Sequence, residues 1–196
     1  MRSSLLAAAP LALLLLLGAG SAPAPREAPP RLADRLVLDT RESTLTLYEG
    51  ETRLQRYRVG LGRGGLGKER RGDGKTPLGR YRLMRGRASK SYLRFLPVSY
   101  PGVHDAKRGL KSGLIDQATH DRILAAHAKG AMPPQGTKLG GAIGIHGYGQ
   151  KLSYVPKGLQ VFHRFIDGTL GCVLLSDREV QDLEKRYVPG ATLIIR

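Results

Sequence analysis

Cysteine, tryptophan and phenylalanine are scarce in this chain of 196 residues, which has one cysteine, no tryptophan and three phenylalanines. A single cysteine cannot form a disulfide within the chain, so a secreted scaffold held together by internal disulfides is excluded. Few aromatic rings are available to stack on bases, and no basic segment is interleaved with aromatic residues. We therefore predict no nucleic-acid partner.

Long hydrophobic runs are also missing, apart from one near the N-terminus. The apolar run Leu5–Leu17 follows Arg2 and precedes the small residues of Gly18–Ala24. This layout is typical of a secretory signal peptide, whereas a membrane span needs about 20 apolar residues. We predict a signal peptide at 1–22 and export to the periplasm or cell envelope, with membrane attachment only if the signal stays uncleaved.

Acidic residues are half as numerous as basic ones. The 32 Lys and Arg residues against 16 Asp and Glu residues give a net charge of +16, and removal of 1–22 deletes only Arg2, which leaves +15. A strongly basic exported protein associates with anionic surfaces, so we expect affinity for a carboxylate-rich wall polymer or an acidic membrane surface. A merely solvated, arginine-rich surface is the alternative interpretation.

One mainly β domain is predicted at 35–196, behind a flexible Pro/Ala/Arg linker at 23–34. Apolar residues alternate with polar ones from Arg35 onward, and Glu49-Gly50 is predicted to form a hairpin turn. Further strands are predicted at 79–84, 142–147 and 191–196.

Two helices are predicted among these strands. One lies within 114–130 and ends at Gly130, and the second starts with a capping box of Ser176 and Glu179 and stops at Pro189-Gly190. The rest of Gly86–Gly141 is predicted to be irregular. Neither helix falls regularly between strands, so the order does not indicate a parallel βαβ fold.

Cys172 lies between a glycine-containing turn, 168–171, and an apolar segment, 173–175. An unpaired thiol in an exported chain is a reactive group, an intermolecular link or a buried, inert side chain. A thiol with a pKa of about 8.5 is only weakly ionised at neutral pH, so a nucleophilic cysteine needs a base, usually a histidine. His146, at the end of a strand-like segment, is the first candidate, and His163 is the second.

Metal ligands are not indicated by the spacing of the histidines. No HExxH sequence and no cluster of Cys and His at metal-ligand spacing is present. Asp116, His120 and His127 would share one face of the first predicted helix, which is more typical of a solvated face than of a zinc site. We predict neither a metal nor a cofactor.

Several stretches together resemble the L,D-transpeptidase catalytic domain, also called the YkuD domain. The signature of that family, His-Gly followed after a gap by Ser/Thr-x-Gly-Cys-Ile/Val, is matched by His146-Gly147 and Thr169–Val173. The sequence GDGKTPLGRYRL at 72–83 resembles the family's Gly-Asp-x-x-Thr-Pro-x-Gly stretch. VSYPGVHDA and TKLGGAIGIHG are similar to the branch that includes the YafK-type murein enzymes.

The sequence departs from the family pattern at two positions and in one spacing. Leu170 and Leu174 stand where the family often has His and Arg, and the gap from His146 to Cys172 is 26 residues. Because this gap is longer than usual, we expect a loop over part of the cleft.

The resemblance implies a β-sandwich-like fold with two or three short helices and the cysteine in a cleft. Cys172 would be the nucleophile that attacks a carbonyl of a peptidoglycan stem peptide and forms a thioester. His146 would take the thiol proton and return it to the leaving amine, and the carbonyl of Gly147 would orient its ring.

The resemblance also implies supporting roles around the cysteine. The backbone N–H groups of Gly171 and Cys172 would form the oxyanion hole, with Thr169 as a hydrogen-bonding support. Tyr148 and His163 are the predicted substrate-binding residues. Peptidoglycan is the expected partner, a protein attached to the wall is a second one, and no metal is needed.

Three functions remain open at this point. An L,D-transpeptidase would pass the acyl group to an amine, and a hydrolase on the same scaffold would pass it to water. A basic wall-binding module with a buried, inert cysteine would not be an enzyme.

Overall fold

The computed structural model describes residues 31–152 and 168–196. The predicted signal peptide, the predicted linker up to residue 30, most of the expected loop between His146 and Cys172, and His163 lie outside these residues. The described residues form nine strands: β1 Ala33–Asp39, β2 Thr44–Glu49, β3 Thr52–Arg58, β4 Gly79–Leu83, β5 Arg87–Ser89, β6 Leu93–Pro97, β7 Gly144–His146, β8 Val173–Leu174 and β9 Tyr187–Ile195. The helices are α1 Val103–Lys111, α2 Gln117–Ala128 and α3 Asp177–Glu184, and a single 3₁₀ turn covers Gly149–Leu152.

The strands form two sheets with one core between them. The first has the order β3-β2-β1-β9-β4, and the second has the order β5-β6-β7-β8. Apolar side chains from both sheets, such as Leu36, Leu47, Leu96, Ile145 and Val173, share one buried cluster. The predicted fold class, mainly β and sandwich-like with two or three short helices, is confirmed.

The hairpin predicted at Glu49-Gly50 is present. β2 and β3 pair antiparallel with Glu49 opposite Thr52, and Gly50 has φ +55°, in the left-handed region that glycine enters readily. β1 begins at Ala33, two residues ahead of the predicted start of the domain at Arg35.

The prediction that Gly86–Gly141 is irregular apart from one helix is wrong. This segment also contains β5, β6 and α1. The strands are too short to show a clear alternation, and β6 is held by pairing with β7, far along the chain. The residues that α1 buries, Asp105, Ala106 and Gly109, include no large apolar side chain. Its start is fixed instead by the Asp105 carboxylate, which accepts a hydrogen bond from the Gly102 N–H at 2.8 Å.

Residues 102–141, here called the helical insert, have a small core of their own. Ala106, Ile115, Ile123 and Leu139 form this cluster beneath α1 and α2. α2 starts at Gln117 with Asp116 as its N-cap, three residues after the predicted onset, and Gly130 follows its end with φ +66°. The insert therefore has a small core distinct from the one between the two sheets.

The last helix begins as predicted and ends earlier. Ser176 Oγ accepts from the Glu179 N–H at 3.3 Å, and the Glu179 carboxylate accepts from the Ser176 N–H at 2.9 Å. The predicted stop at Pro189-Gly190 is wrong, because α3 ends at Glu184 and β9 runs through both residues. The pairing of β9 with β1 shifts register here, so Pro189 sits in a bulge where its missing N–H breaks no ladder bond.

Candidate active site

The turn before Cys172 is clamped by the backbone of 60–63. The Thr169 N–H donates to the Leu61 carbonyl at 3.0 Å, and the Arg63 N–H donates to the Thr169 carbonyl at 2.9 Å. Gly60 and Leu174 exchange two further backbone bonds, each 2.9 Å long. The cysteine therefore sits in a short segment that is anchored on both sides.

Hydrogen bonds inside the turn fix its shape. Thr169 Oγ1 donates to the Cys172 carbonyl at 2.5 Å and accepts from the Gly171 N–H at 3.1 Å. Gly171 has φ +121°, and a Cβ there would lie 2.5 Å from the Lys75 carbonyl oxygen. Only glycine fits this position. The Gly171 N–H, predicted to serve the oxyanion hole, is already engaged by Thr169.

The Thr-Pro motif lies directly beneath this turn. Thr76 is fully buried, and its Oγ1 accepts from the Gly62 N–H at 2.8 Å. A Cβ on Gly62 would approach the Gly74 carbonyl oxygen to 2.4 Å and the Gly171 Cα to 3.0 Å. The glycine-rich loop and the cysteine turn thus pack backbone against backbone.

Asp73 organises the glycine-rich loop. Its carboxylate accepts from Lys68 Nζ at 2.7 Å and from the backbone N–H groups of Glu69, Arg70 and Lys75 at 2.8, 3.0 and 3.1 Å. Burial by itself would raise the pKa of this carboxyl, but the bonds from Lys68 and the backbone outweigh it and lower the pKa from 3.8 to about 2. The loop therefore closes around a carboxylate that stays charged.

His146 ends β7 with its ring enclosed by protein. The side chain is 5% exposed, and Nδ1 lies 2.8 Å from the carbonyl oxygen of Gly147. Because a carbonyl oxygen can only accept, Nδ1 carries the proton in this arrangement. Nε2 is then the nitrogen that can accept a proton from a neighbouring thiol.

Aromatic rings hold the imidazole in place. The ring of Tyr92 lies 4.1 Å from the ring of His146, and Phe95, opposite His146 in β6, stacks on it at 6.3 Å. Gly147 lets the chain turn in a crowded space, because a Cβ there would lie 2.4 Å from Asp177 Oδ1. Sequence reasoning missed Tyr92, which lies in the segment predicted to be irregular.

The sheet register brings Cys172 and His146 to one face. β7 and β8 are parallel, with Ile145 opposite Val173 and His146 opposite Leu174. Extending this register by one residue places Cys172 two positions from His146 and on the same face. Strand spacings of about 4.8 Å and rises of about 3.3 Å per residue put the two Cα atoms roughly 8 Å apart. Cys172 is partly buried, and its Sγ lies 3.5 Å from the Ala142 carbonyl oxygen.

Tyr148 follows the His-Gly pair and packs on Leu174. It is 4% exposed, and its hydroxyl has no hydrogen-bond partner among the described residues. An unpaired buried hydroxyl costs free energy, so it marks a position where a partner is expected.

The other histidines that the structure describes lie in the helical insert. His104 Nε2 is 3.2 Å from Arg108, His120 Nδ1 is 2.8 Å from Asp121, and His127 Nε2 is 2.8 Å from the Pro101 carbonyl oxygen. Within 31–152 and 168–196, no group of three His, Cys, Asp or Glu residues could hold a metal ion. None of the helices in these ranges is long and apolar enough to cross a membrane.

A family model, described as the L,D-transpeptidase catalytic domain (YkuD), matches residues 33–195. The chain belongs to this family. The match spans the two sheets, the helical insert and the cysteine turn, so the resemblance seen in the His-Gly and Thr-x-Gly-Cys motifs is confirmed over the whole domain. No match was found among the curated proteins.

Two solved structures of one protein, both with TM-scores above 0.5, show the same fold. The helical cell shape determining protein Pgp2 from Campylobacter jejuni is 19% identical, with a TM-score of 0.51 over 83% of this chain and 46% of that one. A point variant of Pgp2 gives 18% identity and a TM-score of 0.53 over 85% and 47%. An Enterococcus faecium L,D-transpeptidase variant gives 9% identity and a TM-score of 0.47 over 85% and 50%. The chain spans about half the length of these proteins.

Proposed function

We propose that this protein is an exported cysteine acyltransferase that acts on peptidoglycan stem peptides, with Cys172 as nucleophile and His146 as general base. The observation that carries the proposal is the placement of His146 at the end of β7 and of Cys172 directly before the adjacent parallel strand β8, with Nδ1 of His146 held by the Gly147 carbonyl. The family and the net charge of +16 favour an anionic wall polymer as substrate. A secretion reporter fused to residues 1–35 tests the export.

His146 takes up and returns a proton in each half of the reaction. Nε2 takes the proton of the Cys172 thiol, and the thiolate attacks the carbonyl carbon of a diaminopimelate residue. The tetrahedral intermediate collapses with cleavage of the C–N bond, and His146 returns the proton to the leaving amine. An acceptor amine then attacks the thioester, gives its proton to His146, and releases the Cys172 thiolate, which takes that proton back.

The oxyanion of the tetrahedral intermediate forms next to the cysteine turn. Because the Gly171 N–H donates to Thr169, we assign the oxyanion role to the N–H of Cys172. Thr169 holds the carbonyl of Cys172, and this bond orients the peptide that precedes β8. Gly171 contributes its left-handed backbone rather than a hydrogen bond to substrate.

Hydrolysis is the second candidate function. Leu170, two residues before the nucleophile, is 68% exposed, so water has access to the turn that would carry the thioester. With water as acceptor, the second half of the reaction would release a free carboxylate through the same proton transfers at His146. A shortened stem peptide or a freed wall-attached protein would be the product.

A digest of purified sacculi distinguishes these functions. The mature domain and its Cys172→Ala variant are incubated with sacculi, and the muropeptides are compared by mass spectrometry. We expect new diaminopimelate–diaminopimelate crosslinks with the wild type and none with the variant. Shortened stems without new crosslinks would establish the hydrolase, and unchanged muropeptides would favour the non-enzymatic wall-binding module.

The unpaired hydroxyl of Tyr148 provides a separate prediction about substrate binding. We propose that it donates a hydrogen bond to bound substrate, a role for which His163, outside the described residues, is the second candidate. Tyr148→Phe is then expected to raise KM several-fold. Since the variant removes a buried hydroxyl that has no hydrogen-bond partner within 31–152 and 168–196, it should leave stability unchanged or raise it by about 1 kcal/mol. Enzyme assays measure KM, and urea unfolding measures the stability. A variant that is less stable and has an unchanged KM would contradict the assignment.

A further inference from the structure

A groove leads from the cysteine turn across the helical insert. Its first part, about 300 Å³, lies beside the nucleophile and is lined by Arg71, Ala142 and Leu170 among others. Ala142 is the residue whose carbonyl oxygen lies 3.5 Å from Cys172 Sγ. A second part of about 300 Å³ shares Arg71, and a third of about 570 Å³ continues past Lys138. These three parts are called the basic groove.

Cations that have no carboxylate partner among the described residues line the first two parts of the basic groove. Arg70, Arg71 and Lys138 are exposed, and none of them forms an ion pair with any residue that the structure describes. Lys68 is different, because it is 4% exposed and paired with Asp73. The positive charge of these three side chains is therefore available to a ligand.

The third part of the groove is lined by one further basic residue and one acidic residue. Arg122 lines it and donates to Thr119 Oγ1 at 3.1 Å. Asp116 lines it as well, but its carboxylate caps α2 by accepting from the Thr119 N–H at 2.8 Å. Over its length, the basic groove thus keeps an excess of positive charge.

The groove is built by close packing between the glycine-rich loop and the helical insert. The Arg71 N–H donates to the Lys138 carbonyl at 2.8 Å. A Cβ on Gly140 would lie 3.3 Å from the Arg71 Cα, so glycine allows the two segments to approach. The Arg71 guanidinium lies over Gly136, which lines the second and third parts of the groove. Arg71 itself lines the first two parts, and its position there follows from this packing.

We propose that the basic groove binds the acidic peptide of the wall substrate, with Arg70, Arg71 and Lys138 contacting its carboxylates. The proposal rests on the proposed function and extends it, since it adds a binding surface beyond the reacting bond. Arginine binds carboxylates through paired N–H donors, and a groove that starts at Ala142 can hold the peptide that continues from the reacting carbonyl. Binding would occur outside the Cys172–His146 pair and would set the affinity for the polymer.

The test compares two triple variants with equal loss of charge. Arg70→Gln/Arg71→Gln/Lys138→Gln removes the groove cations, and Arg41→Gln/Arg53→Gln/Lys185→Gln removes three exposed cations that line no part of the groove. Binding to purified sacculi is measured for both in a Cys172→Ala background, and KM and kcat are measured with Cys172 intact. We expect the groove variant to bind about tenfold more weakly and to raise KM by about the same factor, with kcat unchanged.

Salt and anionic vesicles complete the test. The difference between the two variants should shrink as the salt concentration rises, because the contacts are exposed charges. Equal binding by both variants would overturn the proposal even if turnover proceeds. Loss of binding with the groove variant in a protein that forms no muropeptide product would support the groove and reject the enzyme. Weaker binding by the groove variant to phosphatidylglycerol vesicles, with unchanged binding to sacculi, would show that the groove serves a membrane instead.

Discussion

Replacing His146 by glutamine is expected to lower turnover of stem peptides by about 10²–10⁴-fold, the usual contribution of a general base. Glutamine cannot take the thiol proton, so Cys172 would react only through its small thiolate fraction. A thiol with the reference pKa of about 8.5 is roughly 3% ionised at pH 7, and alkylation of Cys172 by iodoacetamide should therefore slow by up to about thirtyfold. Steady-state kinetics and mass-spectrometric labelling measure the two effects.

The control for this variant concerns stability. The imidazole stacks on Tyr92, and an aromatic pair contributes about 0.5–1.5 kcal/mol, so a loss of about 1 kcal/mol in the free energy of unfolding is expected. Raising the pH to 9.5 should restore most of the alkylation rate, because the thiol then ionises without a base. An alkylation rate that is the same in both proteins at pH 7 would show that His146 does not activate Cys172.

Asp73→Asn is expected to destabilise the domain by about 3 kcal/mol at pH 7. The carboxylate accepts from four donors, and the variant would leave the charge of Lys68, which is 4% exposed, without its partner. Lys68→Met should cost less, because Asp73 would keep its three backbone donors. Urea unfolding of the two variants gives the comparison, and an Asp73→Asn protein as stable as wild type would exclude the role given to this carboxylate.

The pH dependence follows from the lowered pKa of Asp73. The carboxyl has a pKa of about 2 in the folded protein and an ordinary pKa of 3.8 in the unfolded chain. The stability that its charged form contributes is therefore complete above pH 3.8 and is lost as the pH falls through 2. The stability difference between wild type and Asp73→Asn should therefore be constant from pH 7 to 4 and shrink between pH 4 and 2. A difference that does not change with pH would contradict the assignment.

Local patterns in the sequence were sufficient for the elements that depend on neighbouring residues. The hairpin at Gly50, the capping box of Ser176 and Glu179, and the strand that ends at His146 each follow from a few adjacent side chains. The cysteine turn was found through its motif. The motif does not explain why position 171 must be glycine. The reason is the close contact of Gly171 with the backbone at Lys75, almost a hundred positions away in the chain.

Features that depend on contacts distant in the chain could not be predicted. Tyr92 reaches His146 only because β6 pairs with β7 across the helical insert, and β6 itself has no clear alternation. The basic groove likewise depends on the contact between Arg71 and Lys138, which no local pattern encodes. The sequence shows that basic residues are in excess, but it does not show that three of them lie together beside the nucleophile.

The position of β9 in the first sheet has a consequence for biogenesis. β9 lies between β1 and β4 and pairs with both, so the sheet cannot close until residues 187–195 have been synthesised. Its pairing with β1 joins residues more than 150 positions apart, and contacts at such separations form slowly. The first sheet would therefore stay incomplete until β9 has been synthesised. Under the export proposed above, a chain whose sheet is still incomplete is one that a secretion channel can thread.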